Sequence, residues 1–392
     1  MQSLIAKCYE SCDLSFAIAK IETIVVHAPI AVPVRTSFGI MTDRPAVFLR
    51  ITDSNGNLGI GEIWCNFPGC GAEHRANLVN TVLAQDVVGR KFNSPYECFT
   101  QLQSRLKRLA IQSGEPGPIA QCIAGVDIGL WDLVARRLGT PLFRLLGGSQ
   151  SRIPVYASGI SPADAVATVD RCRIAGHTAF KLKIGFGDDV DLANIQNICA
   201  SLSSTESLRV DANQAWSLEQ AISQLERLHD YPLSWLEEPL LADSNVEDWN
   251  RLQHQSKIPI AAGENFINEK QFEQAITTDW LDVLQPDACK WGGVSGVLPI
   301  ARNALEKGKR YCPHYLGGGV GLAASAHLLA AVGGDGCLEV DVNPNPLRDD
   351  LFPLKVEQGC TTIAEDIGIG ICPDILTEIS TRFSRSSNSL KV

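Results

Sequence analysis

From Ile21 to Ile30 the chain is dense in Ile and Val, and Ala46 to Thr52 resumes that character, as half-buried strands do. Asp53-Ser54-Asn55-Gly56-Asn57 then supplies an Asn-Gly turn into a further apolar run, Leu58 to Trp64, so a hairpin is predicted there. The spacing next becomes helical over Glu73–Leu83, Pro95–Leu109 and Ile119–Arg137, the last stopping at Gly139 and Pro141. Strands followed by helices in blocks predict a small α+β domain over residues 20–147.

After Gly148 the rhythm changes to short β-rich runs alternating with amphipathic stretches. The strand candidates are Ile153–Ala157, Ala179–Ile184, Leu208–Asn213, Leu233–Glu238, Ile258–Glu264, Trp280–Asp287, Arg310–His314 and Cys337–Asp341. Helices such as Ser217–Leu228, Glu269–Thr277 and Val294–Glu306 lie between them. Eight such strands over residues 148–358 predict an α/β fold, a parallel barrel first and a doubly wound open sheet second. No G-x-G-x-x-G follows a strand, which weakens the nucleotide-binding version of the open sheet. Residues 359–392 are not needed to complete a barrel and are expected to return to the first domain. Residues 1–19 carry Glu10 and Asp13 without an uninterrupted apolar core, so they read as an N-terminal extension rather than a signal peptide.

Composition excludes more than it identifies. A net charge of -10 gives no electrostatic reason to bind nucleic acid or an anionic membrane, so neither partner is expected. The most apolar stretch noted, Leu316–Gly334, is interrupted by His327 and glycines, so no membrane span is predicted. Thirteen scattered cysteines without a C-x-x-C pair read as buried thiols in a reducing cytoplasm rather than a zinc site or disulfide framework.

The chemistry lies in where ionisable residues fall. Lys183, Asp211, Glu237, Glu264, Asp287, His314 and Glu339 stand near the C-terminal ends of successive strands, 28, 26, 27, 23, 27 and 25 residues apart. A period near one βα unit sets all seven around a single rim, where parallel βα barrels keep their active sites. Lys181 and Lys183 share a face, as do Asp211 and Asn213. Three carboxylates from consecutive strands, Asp211, Glu237 and Glu264, call for a divalent cation, and hard oxygen donors suit Mg²⁺ first and Mn²⁺ next. The alternative is that these acids pair with Lys181 and Lys183. A Schiff-base aldolase would need the lysine but not three convergent acids, and a non-catalytic barrel should have lost some of the seven.

The strings Lys181-Leu182-Lys183, Asp211-Ala212-Asn213, Glu237-Glu238-Pro239, Gly263-Glu264-Asn265, Pro286-Asp287-Ala288 and Leu338-Glu339 resemble the ordered motifs of the enolase superfamily, mandelate racemase subgroup. The resemblance runs from about Lys20 to the C-terminal region. It implies a (β/α)₇β modified barrel under an α+β capping domain, with metal ligands Asp211, Glu237 and Glu264 and with Asn213 beside them. The muconate-cycloisomerase-like subgroup carries a second lysine on the sixth strand, at the position of Asp287, whereas this chain resembles the subgroup with an acid there and a histidine, His314, on the seventh. An Asp behind a His fixes its tautomer and raises its basicity.

The resemblance implies removal of the α-proton of a carboxylate by Lys183, with His314 on the other face, Lys181 neutralising one carboxylate oxygen and a protonated Glu339 donating to the other. Metal and Lys181 are expected to depress the pKa of Lys183. Dehydration of an acid sugar is the leading outcome, with racemisation or epimerisation and lactone cycloisomerisation as alternatives. Substrate contacts are expected from the capping domain, at Arg44, Trp64, Asn66 and His74, and from Tyr315. Lys290 is expected to be a loop residue. Relatives of this kind imply a homo-oligomer.

Overall fold

The computed structural model describes residues 12–35 and 39–383. Most of the expected extension, residues 1–11, lies outside them, but its described end joins a sheet. β1 (Phe16–Arg35) starts ahead of the expected boundary at Lys20 and pairs antiparallel with both β2 (Ile40–Asp53) and β4 (Lys91–Phe92). β3 (Leu58–Ile63) completes the sheet in the order β3-β2-β1-β4. The hairpin turn is held by Asp53, whose Oδ1 accepts from Asn55 N at 2.9 Å and Asn57 N at 2.8 Å, with Gly56 at φ +84.

The helix Pro116–Arg137 lies directly on β3. A Cβ at Gly59 would stand 2.1 Å from Gly129 O, and one at Gly61 2.1 Å from Gly125 O. Glycine on both surfaces is therefore what lets strand and helix backbones touch. By length and hydropathy this helix could cross a membrane, a candidate the sequence pattern passed over. It is instead buried in the core, and it carries Asp127 and Asp132 to partners inside the protein.

Eight parallel strands form the second sheet: β5 (Arg152–Ile160), β6 (Ala179–Lys183), β7 (Ser207–Asp211), β8 (Leu233–Glu237), β9 (Ile260–Ala262), β10 (Val283–Leu284), β11 (Arg310–Tyr311) and β12 (Leu338–Asp341). Their order runs β11-β10-β9-β8-β7-β6-β5-β12, and a long bond from Glu339 N to Pro313 O (3.4 Å) closes the seam between the two ends. The ring is the parallel barrel rather than the open sheet. β9, β10 and β11 are shorter than predicted, because the backbone leaves the ladder before Glu264, Asp287 and His314 and presents them from the rim.

Two carboxylates dock the cap onto the barrel. Glu62, at the end of β3, accepts from Gly318 N (2.5 Å) and Gly321 N (2.8 Å) at the start of the helix Gly319–Val332. Asp127 accepts from Val294 N (2.7 Å) and Ser295 N (2.8 Å) at the start of the helix Gly293–Glu306. Each answers unpaired N–H groups and the positive end of a helix dipole. Residues 360–362 add a short antiparallel strand beside β5, after which the helix Ile375–Phe383 packs on β1 and Arg50 donates to Pro373 O and Thr377 Oγ1.

Candidate active site

The barrel floor is an aromatic and thiol layer with Arg209 over the Tyr156 and Trp235 rings, and the carboxylates and lysines lie above it. Tyr156, Trp235, Val283, Cys312 and Cys337 pack in the lower layer. One level up, Lys181 is fully buried, with Nζ 2.8 Å from Glu339 Oε1, 3.6 Å from Asp211 Oδ2 and bonded to Glu237 Oε1. Lys183, two residues on and facing the same way, reaches Asp211 Oδ2 at 2.5 Å. The remaining oxygen of Glu237 accepts from Gln285 Nε2 (2.7 Å) and Trp235 Nε1 (3.0 Å).

Across the ring, His314 is placed by two acids. Its Nδ1 is 2.9 Å from Asp287 Oδ2, while Asp287 Oδ1 is occupied by the N–H groups of Cys289 and Lys290. The carboxylate can only accept, so Nδ1 carries hydrogen and Nε2 faces the site, 2.7 Å from Glu264 Oε2. Burial opposes charge on His314, but Glu264 and Glu339 outweigh it, with the Asp287 bond in support, and hold the imidazole well above the usual range.

Burial opposes the Lys183 ammonium and Lys181 lowers its pKa as expected, but with no ion on Asp211 that carboxylate prevails and raises it. Burial likewise favours a protonated Glu339, but Lys181 and His314 hold it below the usual glutamate range. In the absence of ion and substrate Glu339 accepts from Lys181 and Tyr315 N (3.3 Å), with the hydroxyls of Tyr156 (3.1 Å) and Ser158 beside it.

Above this layer opens a cavity of about 230 Å³. Lys183, Asn213, Glu264 and His314 line it from the barrel, and Trp64 from the cap. Asn213 also braces Asp211, donating Nδ2 to Oδ2 at 3.2 Å. Asn213, Gln214 and Glu238, all lining, stand in the left-handed region at φ 44, 63 and 42. Each such residue costs about 1–3 kcal/mol, strain that collects at functional rims.

The other expected substrate contacts lie elsewhere. Arg44 is buried against β12, donating to Asp341 Oδ2 (2.8 Å) and Pro344 O (3.2 Å), because a buried guanidinium must find a carboxylate. Asn66 donates to Leu316 O at 2.7 Å and so holds the loop after His314. His74, on the helix Gly71–Leu78, pairs with Glu115 at 3.0 Å. Tyr315 turns inward, its hydroxyl donating to Gly318 O at 2.6 Å.

Conversely, the cavity includes Lys290, Glu238, Asn265, Gln214 and Phe67, which the sequence reading left out. Lys290 is no bystander: its Nζ is 3.2 Å from Glu264 Oε1, 2.8 Å from Asn265 Oδ1 and 4.6 Å from the centre of the Trp64 ring. Asn265 also donates to both oxygens of Glu238. The signal available was proximity in sequence, since Lys290, Asn265, Glu238 and Gln214 all lie within three residues of a rim residue that was named.

The lysine-pairing alternative describes part of this site, since Asp211 and Glu237 do bind Lys181 and Lys183. Among the described residues no three acidic, His or Cys groups stand as a ready-made ligand shell. The charge balance nevertheless fits a divalent cation. Six carboxyls (Asp211, Glu237, Glu238, Glu264, Asp287, Glu339) meet four cationic side chains (Lys181, Lys183, Lys290, His314), all buried or nearly so. The deficit of two is visible in Glu237, which burial and Asp211 push up to about 7, and in Glu238, pushed well above the usual range by burial, Glu264 and Asp211. All the candidate ligands are hard oxygen donors, as Mg²⁺ prefers.

Comparison with known proteins covers most of the chain. Residues 20–147 match the mandelate racemase / muconate lactonizing enzyme N-terminal domain, and residues 164–376 the enolase C-terminal domain-like family. A crystal structure of a mandelate racemase/muconate lactonizing enzyme from Bordetella bronchiseptica RB50 is 47% identical, with a TM-score of 0.89, covering 94% of this chain and 99% of that one. D-galactarolactone cycloisomerase from Agrobacterium fabrum is 30% identical over 86% of this chain and 91% of its own length. A variant of L-talarate/galactarate dehydratase, crystallised with Mg and L-glucarate, is 26% identical with a TM-score of 0.81, covering 94% of this chain and 92% of that one.

Proposed function

The chain belongs to the mandelate racemase / muconate lactonizing enzyme family of the enolase superfamily, and from that premise we propose that it dehydrates an acid sugar. The observation that carries this reading is the pairing of Lys183 with a protonated, Asp287-braced His314 on one cavity. Asp211, Glu237 and Glu264 would hold Mg²⁺, which when bound grips the substrate carboxylate and offsets the charge that develops on it.

Lys183, as the free amine, takes the α-proton. Lys181 faces the same carboxylate and offsets charge on it. Glu339 keeps Lys181 in place. His314 passes its Nε2 proton to the β-hydroxyl as the C–O bond breaks, so water leaves and the enol ketonises to a 2-keto-3-deoxy acid. The polar lining of Asn213, Gln214, Glu238 and Asn265 suits a polyhydroxylated substrate better than an aromatic one.

Lactone cycloisomerisation is the second reading, supported by the relative from Agrobacterium fabrum that aligns over most of its length. It uses the same base and expels a ring oxygen instead of water. A screen of mono- and diacid sugars and their lactones, run in D₂O with Mg²⁺, separates the two. Expulsion of either leaving group ends in a 2-keto acid detectable with semicarbazide, so the substrate separates them: an open-chain acid sugar converted to a keto acid supports dehydration, and keto acid formed from a lactone alone would overturn it.

Asp287→Asn keeps the shape but no longer enforces the Nδ1–H tautomer of His314. We expect kcat to fall about 10²-fold with little change in KM. Unchanged kcat in steady-state assays would remove His314 from the acid role.

A further inference from the structure

Below the charged layer, the seam of the barrel holds two thiols in contact. Cys312 follows β11 and Cys337 precedes β12, the two strands at the ends of the ladder order. Their Sγ atoms are 3.8 Å apart and both side chains are buried, Cys337 at 4% exposure. Cys312 stands two residues before His314 and Cys337 two before Glu339. On an extended backbone, residues two apart share a face, so the thiols lie directly beneath the two side chains of the site that come from the seam.

We propose that Cys312 and Cys337 are a redox-active dithiol, oxidised by a hydroperoxide to a disulfide that draws the seam together and misplaces His314 and Glu339. The surroundings favour one thiol as the attacking group. Arg209 Nη2 is 3.9 Å from Cys337 Sγ, and Arg310 stands on the same Trp235 ring as Arg209, their guanidinium carbons 5.8 and 4.6 Å from its centre. The hydrogen bond with Cys312 and these two guanidiniums pull the Cys337 thiol down to about 6 against its burial. Cys337 keeps 4% exposure, and the Arg310–Asp335 ion pair beside this end of the barrel is 31% and 71% exposed.

The chemistry balances without a further co-reactant. The Cys337 thiolate attacks one peroxide oxygen, the O–O bond breaks, and hydroxide leaves with the proton that the thiol had given up, as water. The Cys312 sulfur then attacks the sulfenic sulfur, the S–O bond breaks, and the Cys312 proton leaves with the hydroxyl as a second water. Two thiols lose two electrons and one peroxide gains them. An S–S bond of about 2.05 Å requires the sulfurs to approach by about 1.8 Å, and the proposed loss of activity requires part of that shift to reach His314 and Glu339. Displacements of that order at reacting groups lower rates by about tenfold to a hundredfold.

The full chain is treated with hydrogen peroxide, alkylated, and cut before Asp335 to separate the two cysteines for mass spectrometry. The expected product is a Cys312–Cys337 cross-linked pair about 2 Da lighter than the two thiols, reversed by dithiothreitol, while Cys312→Ser leaves Cys337 trappable by dimedone. The wild-type cross-link alone decides the point if that variant folds poorly. Both cysteines remaining alkylatable, or cross-links confined to the exposed Cys12, Cys70 and Cys372, would overturn the proposal. Turnover of whichever acid sugar the screen identifies should fall at least tenfold in the cross-linked chain, and full turnover would overturn the coupling to the site. The cross-link is read by mass, so it stands or falls independently of the proposed dehydration.

Discussion

Lys183→Ala is expected to stop exchange of the substrate α-proton with D₂O, lowering the rate by about 10³–10⁴-fold. Lys183 lines the cavity, and its Nζ is bound at 2.5 Å to Asp211, one of the three acids assigned to the metal. Its side chain is mostly buried but not sealed, at 16% exposure, as a base that must meet substrate requires. No neighbour can replace it. Lys181 lies beneath, fully buried and tied to Glu237 and Glu339; Lys290 is held by Glu264, Asn265 and the Trp64 face. The fold should survive the substitution, because Asp211 keeps Lys181 and Asn213 as partners. The measurement is proton NMR of the α-position in D₂O with each substrate stereoisomer that turns over. Retained exchange with all of them would remove Lys183 from the base role.

The second large effect is expected from chelation. EDTA should abolish turnover and added Mg²⁺ restore it, with circular dichroism unchanged between the two states. The structure supplies the reason for both halves. Without the ion, Lys181, Lys183, Lys290 and His314 already pair with the candidate ligands, so the acids are not left repelling one another and the barrel holds its shape. Those same contacts occupy the groups that should act: Asp211 keeps the Lys183 proton, and Glu264 takes His314 Nε2. Isothermal titration of Mg²⁺ into the chelated chain gives a readout independent of turnover. Glu264→Gln should weaken that binding by tenfold or more. An activity that persists in EDTA would sink the assignment of Asp211, Glu237 and Glu264.

The inner layer of the site was legible because strand geometry is local. A residue two positions from another on a strand faces the same way, and a βα unit repeats at nearly constant length. Lys183, Asp211, Glu237, Glu264, Asp287, His314 and Glu339 could therefore be set on one rim from spacing, and Lys181 on the face of Lys183 from strand alternation. The cap contacts were not legible in that way. Arg44, Asn66, His74 and Tyr315 looked suited to a polar substrate by residue type. Three of them instead satisfy buried partners within the fold, and His74 pairs with Glu115 at the cap surface. Lys290 is the loop residue expected, yet it also lines the cavity. Its number placed it on a loop, and only the packing of that loop against Trp64 and Glu264 turns its ammonium into the cavity.

The sequence by itself determined the alternation of strands and helices, a parallel α/β sheet with the barrel first, and seven of the ionisable residues that meet at its rim. Hydrophobic period and strand alternation act over a few residues, so they are written in the chain directly. Tertiary structure decided which charges pair when no ion is bound, Lys183 with Asp211 and Lys181 with Glu237 and Glu339, and which cap residues reach the cavity. It also brought Cys312 and Cys337 together across the seam, from positions 25 residues apart. Those outcomes depend on burial and on distances between segments far apart in sequence. A buried charge takes the partner that folding places beside it, whatever its residue type alone suggests.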